Sequence, residues 1–328
     1  MGMVINGRWT EQPPSEFGSD GSFRRIPSAF RNRVTRDGSS EFRAATGRYH
    51  LYVGYHCPWA HRTIIFRVLK GLEHAISISF CLPYLFETGW TFELRPEVPD
   101  ATLDQVNGFR YLHQAYTAAD PHYTGMVTIP VLWDKERRTI VNNESSEIIR
   151  MLNSEFAGVA NNDTDYYPAQ LRAEIDAMNE FVYLNINNGV YRCGFAQSQT
   201  AYEEAYDALF SALDTLEGRL AHQRYLVGDQ QTEADWRLFP TLMRFDVAYF
   251  SLFKCNGRRL SDFPNLWNYA RDLYATPGIA ATVKPRIYVQ NYYSITRVNP
   301  TGIIPKGTPV DFSEPSTRAR MFAATGAG

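Results

Sequence analysis

The chain has 328 residues and a formal net charge of −2, with 33 Lys and Arg against 35 Asp and Glu. That length exceeds one small core and suits two ordinary domains, while the missing basic surplus argues against a nucleic-acid partner. Even the apolar stretch 63–69 is broken by Arg67 and closed by Lys70 and Gly71, so no membrane span is expected.

Residues 1–47 are polar and interrupted by Gly, Pro and Ser, which predicts an extended arm without a core of its own. The basic stretch 23–34 follows Glu11, Glu16 and Asp20, which argues against a transit peptide. With no secretory leader ahead of the cysteines, the expected compartment is the cytoplasm.

The next segment, 48–157, is expected to be an α/β thioredoxin-like domain. RYHLYVGY (48–55) alternates and is rich in aromatic and β-branched residues, the pattern of a strand. Pro58 suits the first turn of a helix through AHRTIIFRVLK that stops at Gly71. AISISFCL (75–82) reads as a second strand, completing a unit of βαβ size. Residues 83–126 carry no sustained period and read as a long insertion, more often functional than idle. VTIPVLWD (127–134) and RTIVNN (138–143) read as strands joined by a charged turn, and a helix over 144–156 closes the unit. The order βαβ then ββα is the thioredoxin topology. The Asn/Asp/Gly-rich stretch 158–165 is the expected linker.

Residues 166–283 read as an all-helical domain. Leu171, Ile175, Met178 and Val182 form one apolar stripe, and Tyr206, Leu209, Leu213, Leu216 and Leu220 another. Thr200 with Glu203, and Thr232 with Asp235, have the spacing of N-terminal capping boxes. Pro240 is expected to kink its helix unless it falls in the first turn. The remainder, 284–328, is Tyr-rich and then Pro/Gly-rich and reads as a tail.

Chemistry centres on Cys57. The four cysteines, Cys57, Cys81, Cys193 and Cys255, are widely spaced with no CxxC pair, which excludes a disulfide scaffold or zinc ribbon. A cysteine between a strand and a Pro-initiated helix sits where unpaired N–H groups and the dipole favour an anion. His56, His61 and Arg62 add positive potential. The bland alternative is a small buried hydrophobe. The position three residues on, where dithiol oxidoreductases keep a resolving cysteine, is Ala60. A lone thiolate attacking sulfur needs an external thiol for release, and glutathione is the abundant one. His56, Cys57 and His61 lack a second ligand cluster, so no metal is expected.

A Pro at position 130 is tolerable at a strand start only if the ladder does not need its N–H. In thioredoxin-like domains such a proline is cis, which leaves the backbone of Ile129 free to pair with the cysteinyl part of glutathione; the alternative is an ordinary trans edge proline. Glu144 and Ser145 open the following helix, where N–H groups and a hydroxyl suit a γ-glutamyl carboxylate and the Glu carboxylate suits its ammonium. Read alone, the pair is equally a capping sequence.

Six ordered blocks carry a resemblance: YHLYVGYHCPWAHR from Tyr49, GWTFELRP from Gly89, TIPVLWDK from Thr128, NNESSEIIRMLN from Asn142, NNGVYRCGFA from Asn187 and NPTGIIP from Asn299. Together they resemble the glutathionyl-hydroquinone reductases, also called Xi-class glutathione transferases, with fungal members the nearest likeness, over residues 20–310. The resemblance implies that Cys57 attacks the sulfur of a glutathionyl-hydroquinone and that a second glutathione resolves the mixed disulfide. It implies Trp90 packed over glutathione, Val127, Thr128, Ile129 and Pro130 along its backbone, and Glu144 and Ser145 at its γ-glutamyl end. Tyr191, Tyr249 and Tyr292 would line the aromatic acceptor pocket, with Tyr293 a substitute for Tyr292; each tyrosine alone is equally a packing residue. Glutathione is then the co-substrate, no metal is needed, and a homodimer built partly by the arm and tail is implied. Met126 departs from the family pattern, which places Arg there. Two other readings stay open: a general thioltransferase or dehydroascorbate reductase of the omega-like type using the same Cys57, and a non-catalytic ligand-binding module with the same fold.

Overall fold

An Asn-Gly turn at Asn6 and Gly7 joins the first two strands, β1 (Met3–Ile5) and β2 (Arg8–Thr10), into a hairpin, as that dipeptide favours. The structure, a computed structural model, describes residues 2–11, 16–84, 87–307 and 310–323. Residues 12–15 of the expected arm, 85 and 86 of the expected insertion, and 308, 309 and 324–328 of the expected tail lie outside the described residues. Two further arm strands, β3 (Val34–Thr35) and β4 (Phe42–Arg43), pair in parallel.

The chain divides into two compact units. The first comprises Met1–Ser15, Arg25–Thr164 and Arg286–Ser294. Its sheet contains β5 (Tyr49–Val53), β6 (Ile76–Phe80), β8 (Val131–Asp134) and β9 (Thr139–Asn142) in the order β6-β5-β8-β9. β5 runs parallel to β6 and antiparallel to β8, and β8 runs antiparallel to β9. α1 (Pro58–Leu69) crosses between β5 and β6, and α3 (Ser145–Ser154) follows β9 and packs on α1. This is the expected thioredoxin topology.

All five residues of β5 are buried, so its alternation cannot reflect one wet face. The insertion covers the second face. From β5, Tyr52 donates its hydroxyl to Asp104 Oδ2 at 3.1 Å and accepts from Asn107 Nδ2 at 2.8 Å. Asp104 also accepts the N–H groups of Val106, Asn107 and Phe109, which fixes the insertion as a layer with its own turn. The insertion is more ordered than its missing period suggests, for it contains α2 (Leu112–Ala119) and β7 (Gly125–Met126), the latter paired with β1. Residues 127–130, read from sequence as the start of a strand, lie outside β8, whose ladder begins at Val131. The Ile129–Pro130 peptide bond is cis.

The second unit comprises Glu16–Arg24, Asp165–Pro285 and Ile295–Gly328, so the first 47 residues contribute to both units. It is helical: α4 (Arg172–Val182), α5 (Gly189–Phe195), α6 (Gln199–Leu220), α7 (Glu233–Arg244), α8 (Phe250–Leu252), α9 (Pro264–Tyr274) and the short α11 (Arg318–Met321). Single π-helical turns, Tyr183–Asn187 and Phe245–Tyr249, follow α4 and α7. Most of each stripe buries as read, with Ile175, Met178 and Val182 inside on α4 and Leu209, Leu213, Leu216 and Leu220 inside on α6; the N-terminal members, Leu171 in the turn before α4 and Tyr206 on α6, stay half-buried.

Thr232 and Asp235 form the expected capping box. The cap of α6, however, is Ser198, whose hydroxyl accepts from Ala201 N–H at 3.2 Å; Thr200 lies inside the helix. Ser198 is drawn to that role because its hydroxyl also donates to Asp20 O at 2.8 Å, tying residues 16–24 to this helix. Pro240 sits well inside α7, where it withholds an N–H from the preceding turn; the helix continues into the π turn. Within the expected tail, α10 (Pro285–Tyr292) is a helix whose residues from Arg286 onward belong to the first unit.

Candidate active site

Cys57 is the N-cap of α1, in extended conformation with φ −83° and ψ 122°, and Pro58 supplies the first helical residue. Its Sγ accepts from the Ala60 N–H at 3.5 Å, so the cap position aims an unpaired helix amide at the sulfur. No acidic residue occupies the first turn. Trp59, two residues on, has the guanidinium of Arg25 at 4.8 Å and that of Arg62 at 4.6 Å from its ring centroid. Cys57 is half-buried, while Cys81, Cys193 and Cys255 are buried. Burial pushes the Cys81 and Cys255 thiols up, away from the thiolate that chemistry requires. Cys57 therefore has the access and the helix-end field that the other three lack.

Opposite the sulfur lies the loop before β8. The Cys57 thiol donates to the Ile129 carbonyl at 3.6 Å. Val127, Ile129 and Pro130 are buried and Thr128 is half-buried. Among the described residues nothing accepts from the Ile129 N–H. Thr128 is held by the Tyr116 hydroxyl, which donates to its carbonyl at 2.7 Å and accepts from its N–H at 3.2 Å. Asn143 Nδ2 donates to the same hydroxyl at 3.0 Å and to Thr128 Oγ1 at 3.3 Å.

The start of α3 adjoins this loop through Asn143. Glu144 is the N-cap, its Oε1 accepting from the N–H and hydroxyl of Ser146 at 3.1 and 3.0 Å. Its Oε2 accepts from the Ser28 hydroxyl at 3.1 Å. Ser145 is buried. Glu147, in the same turn, is held below the usual carboxylate range by the Arg31 guanidinium and by Asn142.

Trp90 is 8% exposed and stacks on His56, with ring centroids 4.4 Å apart at 28°. Gly54 makes this packing possible: a Cβ there would fall 2.3 Å from the His56 ring and 3.0 Å from the Cys81 sulfur. Met126 is buried in β7, paired with Met3.

In the helical unit, Tyr191 and Tyr249 have ring centroids 6.0 Å apart and share an aromatic cluster with Phe195 and Phe253. Tyr249 ends a π turn, a form frequent at functional sites. Tyr292 and Tyr293 belong to the first unit and are buried at 2% and 5% exposure.

The structure thus joins Cys57 to Ile129 directly, links Thr128 to Glu144 through Tyr116, Asn143 and Ser28, buries Ser145 beside Glu144, and sets Trp90 against the residue before Cys57. Sequence reasoning missed Tyr116, Asn143 and Ser28, whose partners are distant in sequence and leave no local signal. Among the described residues no group of three or more His, Cys, Asp or Glu side chains is placed to hold a metal ion, and no helix is long and apolar enough to cross a membrane.

Family models agree with the two-part architecture. The glutathione S-transferase N-terminal domain matches residues 56–155, and the glutathione S-transferase C-terminal domain matches 199–272. The chain is 51% identical to the glutathionyl-hydroquinone reductase PcpF of Sphingobium chlorophenolicum, covering 94% of this chain and 96% of that protein. It is 48% identical to the glutathionyl-hydroquinone reductase YqjG of Escherichia coli K12, covering 98% and 100%. The glutathione-bound structure of YqjG superposes with a TM-score of 0.88 at 46% identity, over 97% of this chain and 100% of that one. The Xi-class transferase of Natrialba magadii superposes with a TM-score of 0.91 at 46% identity, over 98% and 97%. The chain belongs to the glutathione S-transferase family, among the Xi-class members that include the glutathionyl-hydroquinone reductases.

Proposed function

We propose that the protein reduces glutathionyl-hydroquinones to hydroquinones at the expense of glutathione. The Cys57 thiolate attacks the sulfur of the conjugate, a Cys57–glutathione disulfide forms, and the aryl carbon–sulfur bond breaks. The aryl carbon keeps the bonding pair and takes a proton, which releases the hydroquinone. A second glutathione thiolate attacks the mixed disulfide, freeing the Cys57 thiolate and glutathione disulfide.

The observation that carries this reading is a half-buried cysteine at a helix mouth, with the main chain of Ile129 beside its sulfur and the Ile129 N–H left outside the β8 ladder. In this reading Val127, Thr128, Ile129 and Pro130 form the edge on which the tripeptide pairs, by strand addition through the Ile129 N–H. Glu144 and Ser145 receive the γ-glutamyl group at the N-terminus of α3. Trp90, braced by His56, walls the site. Tyr191, Tyr249 and Tyr292 serve the aromatic acceptor, their hydroxyls hydrogen-bonding the quinol oxygens. Residues 48–157 bind glutathione, and 166–283 supply Tyr191 and Tyr249. With Met126 buried where the family pattern places Arg, main-chain contacts from 127–129 carry more of the glutathione affinity. The protein acts in the cytoplasm as a homodimer; Ile303 and Ile304, 68% and 52% exposed in the tail, offer apolar surface to a second copy, and light scattering tests the dimer.

The decisive experiment is intact-mass spectrometry after mixing the protein with a glutathionyl-hydroquinone. One glutathione adduct on Cys57 and stoichiometric hydroquinone are expected, and hydroquinone release by Cys57→Ser would end the proposal. Yeast relatives carry the name omega-like glutathione S-transferase, which favours a second reading as a general thioltransferase. Faster turnover of a small mixed disulfide than of the quinol conjugate would select it.

A further inference from the structure

Tyr116 lies in α2, within the insertion, and is fully buried. Its hydroxyl donates to the Thr128 carbonyl at 2.7 Å and accepts from the Thr128 N–H at 3.2 Å and Asn143 Nδ2 at 3.0 Å. One donor and two acceptor sites are the whole capacity of a phenol, so three groups saturate it. Burial raises the Tyr116 phenol above its ordinary value, which keeps the proton that the Thr128 carbonyl receives.

The arrangement is unusual in what it replaces. Both main-chain polar groups of Thr128 pair with one side chain, because the ladder of β8 begins only at Val131. The loop takes its position from the insertion helix instead of from the sheet. Asn143 extends the restraint to the arm: its Oδ1 accepts from the Phe30 N–H at 3.0 Å, and its own N–H donates to the Phe30 carbonyl at 3.1 Å. The Phe30 ring then closes on Tyr116 and Tyr123, at centroid distances of 5.7 and 5.4 Å. The residue after Thr128 is Ile129, whose carbonyl meets the Cys57 thiol.

We propose that Tyr116 is a positioning residue for glutathione, its hydroxyl setting the backbone of residues 128 and 129 on which the tripeptide pairs. It acts through Thr128 and touches neither substrate nor sulfur. The inference rests on the reading of 127–130 as the glutathione edge. A role in packing alone needs only the ring, whereas a positioning role needs the hydroxyl, and Tyr116→Phe separates the two.

The experiment measures glutathione binding by calorimetry, steady-state KM and kcat, and the rate of Cys57 alkylation by iodoacetamide, in the wild type and in Tyr116→Phe. The dissociation constant and KM for glutathione are expected to rise about tenfold, the scale of one lost buried hydrogen-bond set. Turnover at saturating glutathione and the alkylation rate stay within about twofold, since the helix-end field on Cys57 is untouched. A folded Tyr116→Phe protein that binds glutathione as the wild type does overturns the positioning role, as does a parallel loss of kcat and alkylation rate. A wild type that binds no glutathione overturns the functional reading as well. If Tyr116→Phe does not fold, Asn143→Asp supplies the test: its carboxylate draws the phenolic proton away from the Thr128 carbonyl, and the same rise in the dissociation constant is expected, an unchanged value overturning the proposal.

Discussion

The Cys57 thiol donates to the Ile129 carbonyl at 3.6 Å while its sulfur accepts from the Ala60 N–H at 3.5 Å. The two contacts oppose each other: the amide favours the thiolate, and the carbonyl favours the protonated form. A serine hydroxyl can make both bonds in the same roles, and serine is among the best N-caps. Cys57→Ser is therefore expected to keep its stability within about 1 kcal/mol and yet to form no glutathione adduct. Thermal melts paired with intact-mass spectrometry check this, and a large drop in melting temperature would show that the cysteine also has a packing role.

Glu144 is expected to act twice. As N-cap of α3 its Oε1 takes the Ser146 N–H, and its Oε2 takes the Ser28 hydroxyl from the arm. Glu144→Ala should lower stability by about 1 kcal/mol through loss of the cap and weaken glutathione binding severalfold through loss of the ammonium partner. Ser28→Ala removes the donor shared by Glu144 Oε2 and the Asn143 carbonyl, leaving the cap intact. It should change stability by less than about 0.5 kcal/mol and still weaken glutathione binding, because the carboxylate loses its second anchor. Calorimetric titration of both variants is the check; a Ser28→Ala protein with wild-type affinity would separate the arm from the site.

These partners mark where the sequence stops being legible. β5 and α1 could be read locally, because an alternating β-branched run and a Pro-initiated, Gly-terminated helix carry their own signals. The reactive position at residue 57 follows from those two elements, and the thioredoxin order from them together with the three later strand-like runs and the helix after them. The cap of α6 could not: Ser198 and Thr200 both offer a hydroxyl, and the contact that decides between them is with Asp20, 178 residues away. The helical content of the insertion was hidden for a related reason, since α2 is short and is anchored by Tyr116 to a loop outside itself. Site roles built on the resemblance came as single residues, whereas the network Ser28–Glu144, Asn143–Tyr116–Thr128 is made by long-range contacts that no periodicity encodes. The start of β8 was misread because Thr128, Ile129 and Pro130 have strand-like composition, while Pro130 has no N–H to offer a ladder.

His50 predicts an acid limb in stability. It is the second residue of β5, with Nδ1 2.8 Å from Ser77 Oγ and Nε2 3.0 Å from Ser79 Oγ. A neutral ring fits, donating to Ser79, whose hydroxyl passes on to the Leu103 carbonyl at 3.3 Å, and accepting from Ser77. Burial pushes its pKa down to about 4; Asp104 opposes this, and Lys135 and Arg67 reinforce it. The unfolded chain binds the proton from about pH 6.5 downward, whereas the folded one binds it only near pH 4. The stabilisation is therefore complete above the unfolded value and is lost as pH falls through that window, by on the order of 3 kcal/mol in full. Urea unfolding at pH 7 and pH 4.5 should show a loss in the wild type that His50→Gln largely lacks. Parallel losses in both proteins would place the acid sensitivity elsewhere.

Arg318 predicts that the tail is stapled to the helical unit by a single buried cation. Its guanidinium is fully buried and donates to the carbonyls of Leu220 at 3.1 Å and Arg224 at 2.8 Å, and also to that of Gln223. Leu220 is the last residue of α6, so the cation meets the unpaired carbonyls and the negative end of that helix. Asn268 on α9 holds the approach, accepting from Thr317 N–H at 3.0 Å and from the Ser316 hydroxyl at 2.9 Å. Burial lowers the Arg318 pKa, yet a guanidinium stays charged at neutral pH. Arg318→Ala strands several buried carbonyls and should cost about 2 to 4 kcal/mol. Arg318→Lys should recover little, because one ammonium cannot reach three carbonyls in a plane. By contrast Arg271→Ala, which breaks the Arg271–Glu314 pair with its largely exposed carboxylate, should cost less than about 1 kcal/mol. Glutathione affinity should stay unchanged in Arg318→Ala at temperatures where it is folded, while limited proteolysis should cut the tail sooner. Wild-type resistance to cleavage together with a wild-type melt would remove the staple from the account.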